Sequence, residues 1–328
     1  MFNLFSMFFI MSNLFLFSIL SMFLNDLFII WLFMEINNFM FISLMCFKIF
    51  NKKIIFFYYI IQTMASLLII FSIIYSSLFF SYFNFFNLIL ILGLSIKLGI
   101  PPFHMWMVSS SMFFDWDILF LFLSIQKIIP MYMLSTIELK SSILYPLILS
   151  SSYISMFKML MNLNFKIILT YSSINQTSWV LLLIMFKNLM WILYFATYSA
   201  ILFLTIMTLK FLYMSPNFIY SVKSLNFKLM FMFMFFNLAS LPPLSFFFMK
   251  WFSVYMFIFN SPDLTFLIVI MLINSFILIY IYINMMTLLM FFFSIKSKLF
   301  FMYNYYPFKK LYFIMFLGLL LSLFMIMI

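Results

Sequence analysis

The run Ser95-Ile96-Lys97-Leu98-Gly99-Ile100-Pro101-Pro102-Phe103-His104-Met105-Trp106 lies inside a long apolar stretch, yet it carries a lysine and two adjacent prolines. A transmembrane helix tolerates neither readily. A lysine at the bilayer centre costs about 2.5–3.5 kcal/mol on insertion scales. Each proline removes a backbone donor and clashes with the preceding turn. Non-helical backbone at membrane depth survives only where protein or a wet cavity covers it. A second stretch, Leu238-Ala239-Ser240-Leu241-Pro242-Pro243-Leu244 followed by Lys250-Trp251, repeats the pattern. Two Pro-broken apolar segments in corresponding halves of a chain point to an ion or substrate path at a repeat interface.

The surrounding composition fixes the class. The 328 residues are 68% apolar and 7% charged, against about 25% charged in soluble chains, so the chain is an all-α polytopic membrane protein. Its length suits about 11 spans of about 20 residues with short connections. The formal charge of +11 comes from lysine alone, with no arginine anywhere. Residues with AT-rich codons (Phe, Ile, Asn, Lys, Tyr, Met) are abundant, while those with GC-rich codons are scarce. The 33 methionines fit a code that reads ATA as Met, as animal mitochondria do. This coding bias points to an organelle-encoded chain. No basic presequence is expected, because the first lysine is Lys48 and the N-terminus already reads as a span.

Spans are expected near 2–23, 27–46, 54–76, 84–107, 117–137, 142–161, 166–186, 189–213, 228–258, 264–291 and 308–328. They group as first three helices (1–83), a half broken at 101–102 (84–213), a half broken at 242–243 (214–291), and a loop with a C-terminal helix (292–328). The ninth is too long for one straight helix, which fits two half-helices joined at Pro242-Pro243. With the N-terminus inside, Lys48, Lys52, Lys53, Lys158, Lys166, Lys210, Lys223, Lys228, Lys296, Lys298, Lys309 and Lys310 fall on inside loops. Only Lys140 and Lys187 fall outside. That asymmetry satisfies the positive-inside rule, and an odd span count then places the C-terminus outside. The basic surplus serves orientation and anionic headgroups; it forms no clustered face for nucleic acid.

Four ionisable groups remain at depth: Glu35, Lys97, Lys127 and Lys250. Such groups face the bundle interior and pair or contact water. Glu35 and Lys97 are expected to pair, either as a packing device or as part of a proton path. Lys127 follows Gln126 and precedes Pro130, at another weakened turn. Lys250 either faces the interior or snorkels to a headgroup. Lysine suits proton transfer because burial disfavours its charged form and a carboxylate favours it, so moving the partner changes its proton affinity. His104, the only histidine, is a candidate relay or a helix-capping group.

The remaining polar residues read more plainly. Asp26, Asp115, Asp117 and Asp263 are expected in loops or at helix starts. The runs Ser109–Ser111 and Ser150–Ser152 read as small-residue helix contacts. Cys46, the single cysteine, reads as a buried small apolar residue, and the abundant Phe and Met read as lipid-facing filler. No Gly-rich phosphate loop, His pair or Cys cluster occurs.

Trp31-Leu32-Phe33-Met34-Glu35-Ile36-Asn37, Tyr59-Ile60-Ile61-Gln62-Thr63-Met64-Ala65-Ser66, and the run from Lys97 to Trp106 form a recognisable series. It continues with Gln126-Lys127-Ile128-Ile129-Pro130, Tyr171-Ser172-Ser173-Ile174, and Leu241-Pro242-Pro243 through Lys250-Trp251. In order and spacing this series resembles the subunit 2 family of mitochondrial NADH:ubiquinone oxidoreductase (complex I), within the wider group of antiporter-like membrane subunits. The resemblance runs from about residue 31 to 251.

The resemblance implies two inverted five-helix repeats, each with a discontinuous helix, here broken at Pro101-Pro102 and Pro242-Pro243. It implies a proton path over Glu35, Lys97, Lys127 and Lys250, with His104 a further candidate. It implies a place in the mitochondrial inner membrane, N-terminus on the matrix side and C-terminus on the intermembrane-space side. Partners would be other membrane-arm subunits, including further antiporter-like subunits, and structural phospholipids. NADH, FMN, iron–sulfur clusters and ubiquinone would be handled in other subunits, with no cofactor bound by this chain. Departures are Gln176 where the family often has a histidine, Ala239-Ser240 in place of Gly-Gly, Val108-Ser109 in place of Pro-Glu, and Lys166 in place of arginine. The leading expectation is a proton-translocating subunit of that translocase. The alternatives are a free-standing cation/proton antiporter and a non-conducting architectural subunit of the same complex.

Overall fold

The computed structural model describes residues 2–78, 83–137, 141–186, 189–214, 225–242, 244–260 and 265–299. Every regular element among them is an α-helix. The helices are α1 (Phe2–Ser21), α2 (Leu27–Lys48), α3 (Lys52–Leu78), α4 (Phe83–Leu98), α5 (Met105–Ser111), α6 (Trp116–Leu123), α7 (Ile125–Thr136), α8 (Ser141–Leu160), α9 (Phe165–Met185), α10 (Met190–Met214), α11 (Leu225–Ala239), α12 (Ser245–Asn260) and α13 (Thr265–Leu299). Ten expected spans are thus present, three of them each made of two helices. The eleventh expected span at 308–328, Pro243 and Asp263 lie outside the described residues.

Among the described residues seven helical stretches, one of them α6 and α7 taken together, are long and apolar enough to cross a membrane. Their outward faces carry large apolar side chains such as Phe39 (58% exposed), Leu67 (60%) and Phe276 (68%). In water such a surface would be untenable; against lipid it is the stable choice. Phe and Met are not confined to that surface, as the sequence had implied. Phe41, Phe114, Phe235, Met45 and Met133 are buried, filling core space alongside the abundant leucine and isoleucine. Cys46 corrects its expectation in the opposite direction and is exposed.

Packing divides the described residues into two units. The first contains α1 to α7, most of α8, and α9. In α2 the buried residues Ile30, Met34, Asn37, Asn38, Phe41, Leu44 and Met45 recur at helical spacing, and α3 answers with Tyr58, Gln62, Ala65, Ser66 and Ile69. Tyr58 Oη donates to Asn38 Oδ1 at 3.0 Å and Trp31 Nε1 to the Ser66 carbonyl at 3.2 Å. Close approach of α3 and α4 depends on Gly93, where an added Cβ would stand 2.7 Å from Ile69 Cγ1 and 3.1 Å from the Ala65 carbonyl. Small residues let membrane helices meet at backbone distance. The second unit contains the end of α8 and α10 to α13.

The first break ends α4 in a Schellman cap. Ile100 N–H bonds the Ser95 carbonyl at 3.0 Å and Gly99 N–H the Ile96 carbonyl at 3.2 Å, with Gly99 left-handed at φ 65°. The second break repeats it: Leu241 N–H bonds the Phe236 carbonyl at 3.2 Å and Ser240 N–H the Asn237 carbonyl at 3.0 Å, with Ser240 at φ 59°. The same turn follows both, Phe103 N–H to Ile100 and Leu244 N–H to Leu241, each at 2.9 Å. These bonds satisfy helix-end carbonyls that lipid cannot. The prolines stop each helix, and the left-handed residue turns the chain. Glycine enters that conformation freely, whereas serine pays about 1 kcal/mol.

A third break was not expected. The span at 117–137 divides at Ser124 (φ −113°, ψ −78°), six residues before Pro130. The Ser124 hydroxyl donates to the Phe120 carbonyl at 2.6 Å, a back-bond that competes with regular helix geometry. Pro130 instead stays inside α7.

Candidate functional site

Glu35 stands midway along α2 and Lys97 in the last turn of α4. Lys97 Nζ donates to Glu35 Oε1 at 2.5 Å, with the lysine side chain 3% exposed and the carboxylate 14%. Here the Schellman cap matters: it terminates α4 beside Lys97, and a helix C-terminus favours a cation. Trp106, the second residue of α5, reaches back across the break and donates its indole N–H to the Ile96 carbonyl at 3.0 Å. Ser150 of α8 donates to the Pro101 carbonyl at 3.4 Å. The break is therefore tied from three elements.

Lys97 and Lys127 line one cavity of about 20 Å³, together with Asn38, Tyr58, Gln62, Trp106 and Gln126. That volume has room for about one water molecule, and the lining is polar enough to hold it. Gln126 Nε2 is buried with no protein partner, and Pro130 brings no N–H for the Gln126 carbonyl. Lys127 is in the first turn of α7, placed there by the break at Ser124, and its Nζ donates to Ser173 Oγ of α9 at 3.1 Å. Ser173 in turn donates to the Thr170 carbonyl at 2.7 Å. On one side the cavity is closed by buried rings. Phe122 packs 5.1 Å from Phe114, 5.7 Å from Trp106, 6.1 Å from Tyr58 and 6.2 Å from Phe41, centroid to centroid.

Beyond those rings lysines hold the loop before α6 and the first turn of that helix. Lys166 donates to the Phe114 carbonyl at 2.7 Å and lies 5.5 Å from the Trp116 ring. Lys48 pairs with Asp117 at 3.0 Å. Asp26 and Asp115 sit at the N-cap positions of α2 and α6, as helix-start residues should. The hydroxyls of Ser109, Ser110 and Ser111 bond back to carbonyls three residues earlier, so each is engaged within its own stretch of chain.

His104 occupies the N-cap position of α5, but its imidazole makes no capping bond, which removes the capping role. It is 7% exposed, with its ring 6.1 Å from Tyr171, and it does not line the cavity of the two lysines. Gln176 is buried within α9. Lys250 belongs to the second unit, where it is 6% exposed and not snorkelling, and its Nζ donates to Ser240 Oγ at 2.7 Å. Asn237 steadies that break: its Oδ1 accepts from Ser245 Oγ at 3.2 Å and from the Phe246 N–H at 3.3 Å, capping α12 from the far side. Charge alone does not single out Asn38, Tyr58 and Asn237. Their signal was a polar side chain inside an apolar run.

The chain is 32% identical over 233 residues to NADH-ubiquinone oxidoreductase chain 2 of Artemia franciscana, covering 69% of this chain and 72% of that one. The chain belongs to the NADH-ubiquinone oxidoreductase chain 2 family. A second member, from Rhipicephalus sanguineus, is 34% identical over 260 residues, covering 77% of this chain and 80% of its own. No family model matches the chain. In fold, the chain is similar to a chain of respiratory complex I from Thermus thermophilus, with TM-score 0.78 and 15% identity over 98% of this chain and 78% of that one. It is similar also to a chain of an archaeal membrane-bound sulfane sulfur reductase, with TM-score 0.77 and 13% identity over 95% and 72%. The chain 2 fold is thus shared well beyond the range of sequence identity.

Proposed function

We propose that this chain is a core membrane subunit of respiratory NADH:ubiquinone oxidoreductase in the mitochondrial inner membrane. It contributes a proton path through Glu35, Lys97, Lys127 and Lys250, coupled to electron transfer from NADH to ubiquinone in other subunits of the complex. The observation that carries the reading is the Glu35–Lys97 pair at 2.5 Å beside a cavity that Lys127 also lines. Breaking a buried ion pair by losing one partner costs about 3–5 kcal/mol. Redox energy released elsewhere in the complex moves Glu35 relative to Lys97 and changes the proton affinity of the lysine. The proton then passes through cavity water toward Lys127, and onward to Lys250 in the second unit. NADH, FMN, the iron–sulfur clusters and ubiquinone are held by other subunits, and phospholipid fills the outer apolar faces. The excess of lysines on the loops taken as inside supports a matrix-side N-terminus and an intermembrane-space C-terminus.

Native-gel separation of gently solubilised source membranes, with peptide mass spectrometry, tests the assignment. The chain is expected in a very large assembly that oxidises NADH in the gel. Finding it free or in a small oligomer without that activity would replace this reading with a free-standing antiporter.

A further inference from the structure

The two left-handed caps differ in one respect. At Gly99 a Cβ would meet Met107, 2.8 Å from Sδ and 3.1 Å from Cβ, so the first break has no space for a side chain. At Ser240 the same backbone conformation carries a buried hydroxyl. Glycine would relieve that backbone, yet the position bears a side chain with two bonds. Its Oγ accepts from Lys250 Nζ at 2.7 Å and donates to the Ala239 carbonyl at 2.5 Å. Lys127 meets the same arrangement at Ser173, a hydroxyl between an ammonium and a helix carbonyl.

Resting on the proton-path reading above, we propose that Ser240 is the positioning residue for Lys250, serving it in both protonation states. A carboxylate only accepts from an ammonium. A hydroxyl accepts and donates. While Lys250 is charged, Oγ accepts from Nζ and its own proton rests on the Ala239 carbonyl. When the ammonium passes a proton to water, the hydroxyl turns and donates to the neutral amine, so Ser240 gains and loses no proton. The strained backbone places the hydroxyl where an unstrained residue would not.

The test uses the whole complex in sealed membrane vesicles, with the rate of NADH-driven proton transfer measured across pH, and thermal stability of the complex measured alongside. Ser240→Gly is the informative variant, because it relaxes the backbone while removing the hydroxyl with its small CH2 stem. It should melt no lower than the parent, yet slow proton transfer about three- to tenfold, the worth of one hydrogen bond, and displace the pH profile. Ser240→Thr keeps the hydroxyl and should keep the parent's pH profile. Unchanged proton transfer and pH profile in Ser240→Gly would overturn the proposal. Lys250→Met run in parallel separates the two levels. If it impairs proton transfer while Ser240→Gly does not, only the role of Ser240 fails; if neither has any effect, the path through Lys250 fails with it.

Discussion

Lys97→Met in the assembled complex is expected to lower the number of protons moved per electron pair while the complex still assembles and oxidises NADH. Methionine matches the volume of the lysine stem and keeps the packing against Met34 and Trp106 around the cavity. It removes the ammonium that Glu35 pairs with. The carboxylate left behind is 14% exposed, against 3% for the lysine it loses, so it is the less sealed member of the pair. The measurement is proton stoichiometry in sealed vesicles against NADH consumed. An unchanged stoichiometry would remove Lys97 from the path and leave the pair as a packing device.

Gly99→Ala should have the largest effect on stability. Its backbone sits at φ 65°, which costs an alanine about 1–2 kcal/mol. The added methyl meets Met107, whose Cβ is fixed by α5 even if its sulfur can swing away. Overpacking of that kind adds about 1–3 kcal/mol. The two together displace α5 relative to α4 and loosen the Trp106 bond to Ile96 that spans the break. A clear drop in the thermal midpoint of the complex, or failure to assemble, is expected. Wild-type stability in Gly99→Ala would mean that the cap relaxes without a left-handed residue.

The broad architecture was legible because the membrane makes few things affordable. Prolines at 101 and 242 had to interrupt helices, and the buried lysines had to find partners or water. The Glu35–Lys97 contact followed from the scarcity of opposite charges at depth. What the sequence concealed was set by geometry among neutral groups. The break at Ser124 comes from a hydroxyl back-bond, and serine makes many such bonds in this chain without breaking a helix. The polar wall of Asn38, Tyr58 and Gln126 assembles from three helices, so no local run announces it. Cys46 was misread because apolar surroundings mean core in a soluble protein, whereas here they mark the outer face equally well.

The exposure of Cys46 gives α2 a built-in reporter. It follows Glu35 by eleven residues, close to three helical turns, so both project from nearly the same face of that helix. As the only thiol in the sequence, it can be alkylated by a lipid-soluble maleimide without competing sites in this chain. Were a neighbouring subunit to lie along that face, the sulfur would be shielded within the intact complex and uncovered on dissociation. The rate of alkylation then measures how tightly the flank of the Glu35–Lys97 pair is enclosed by the rest of the assembly.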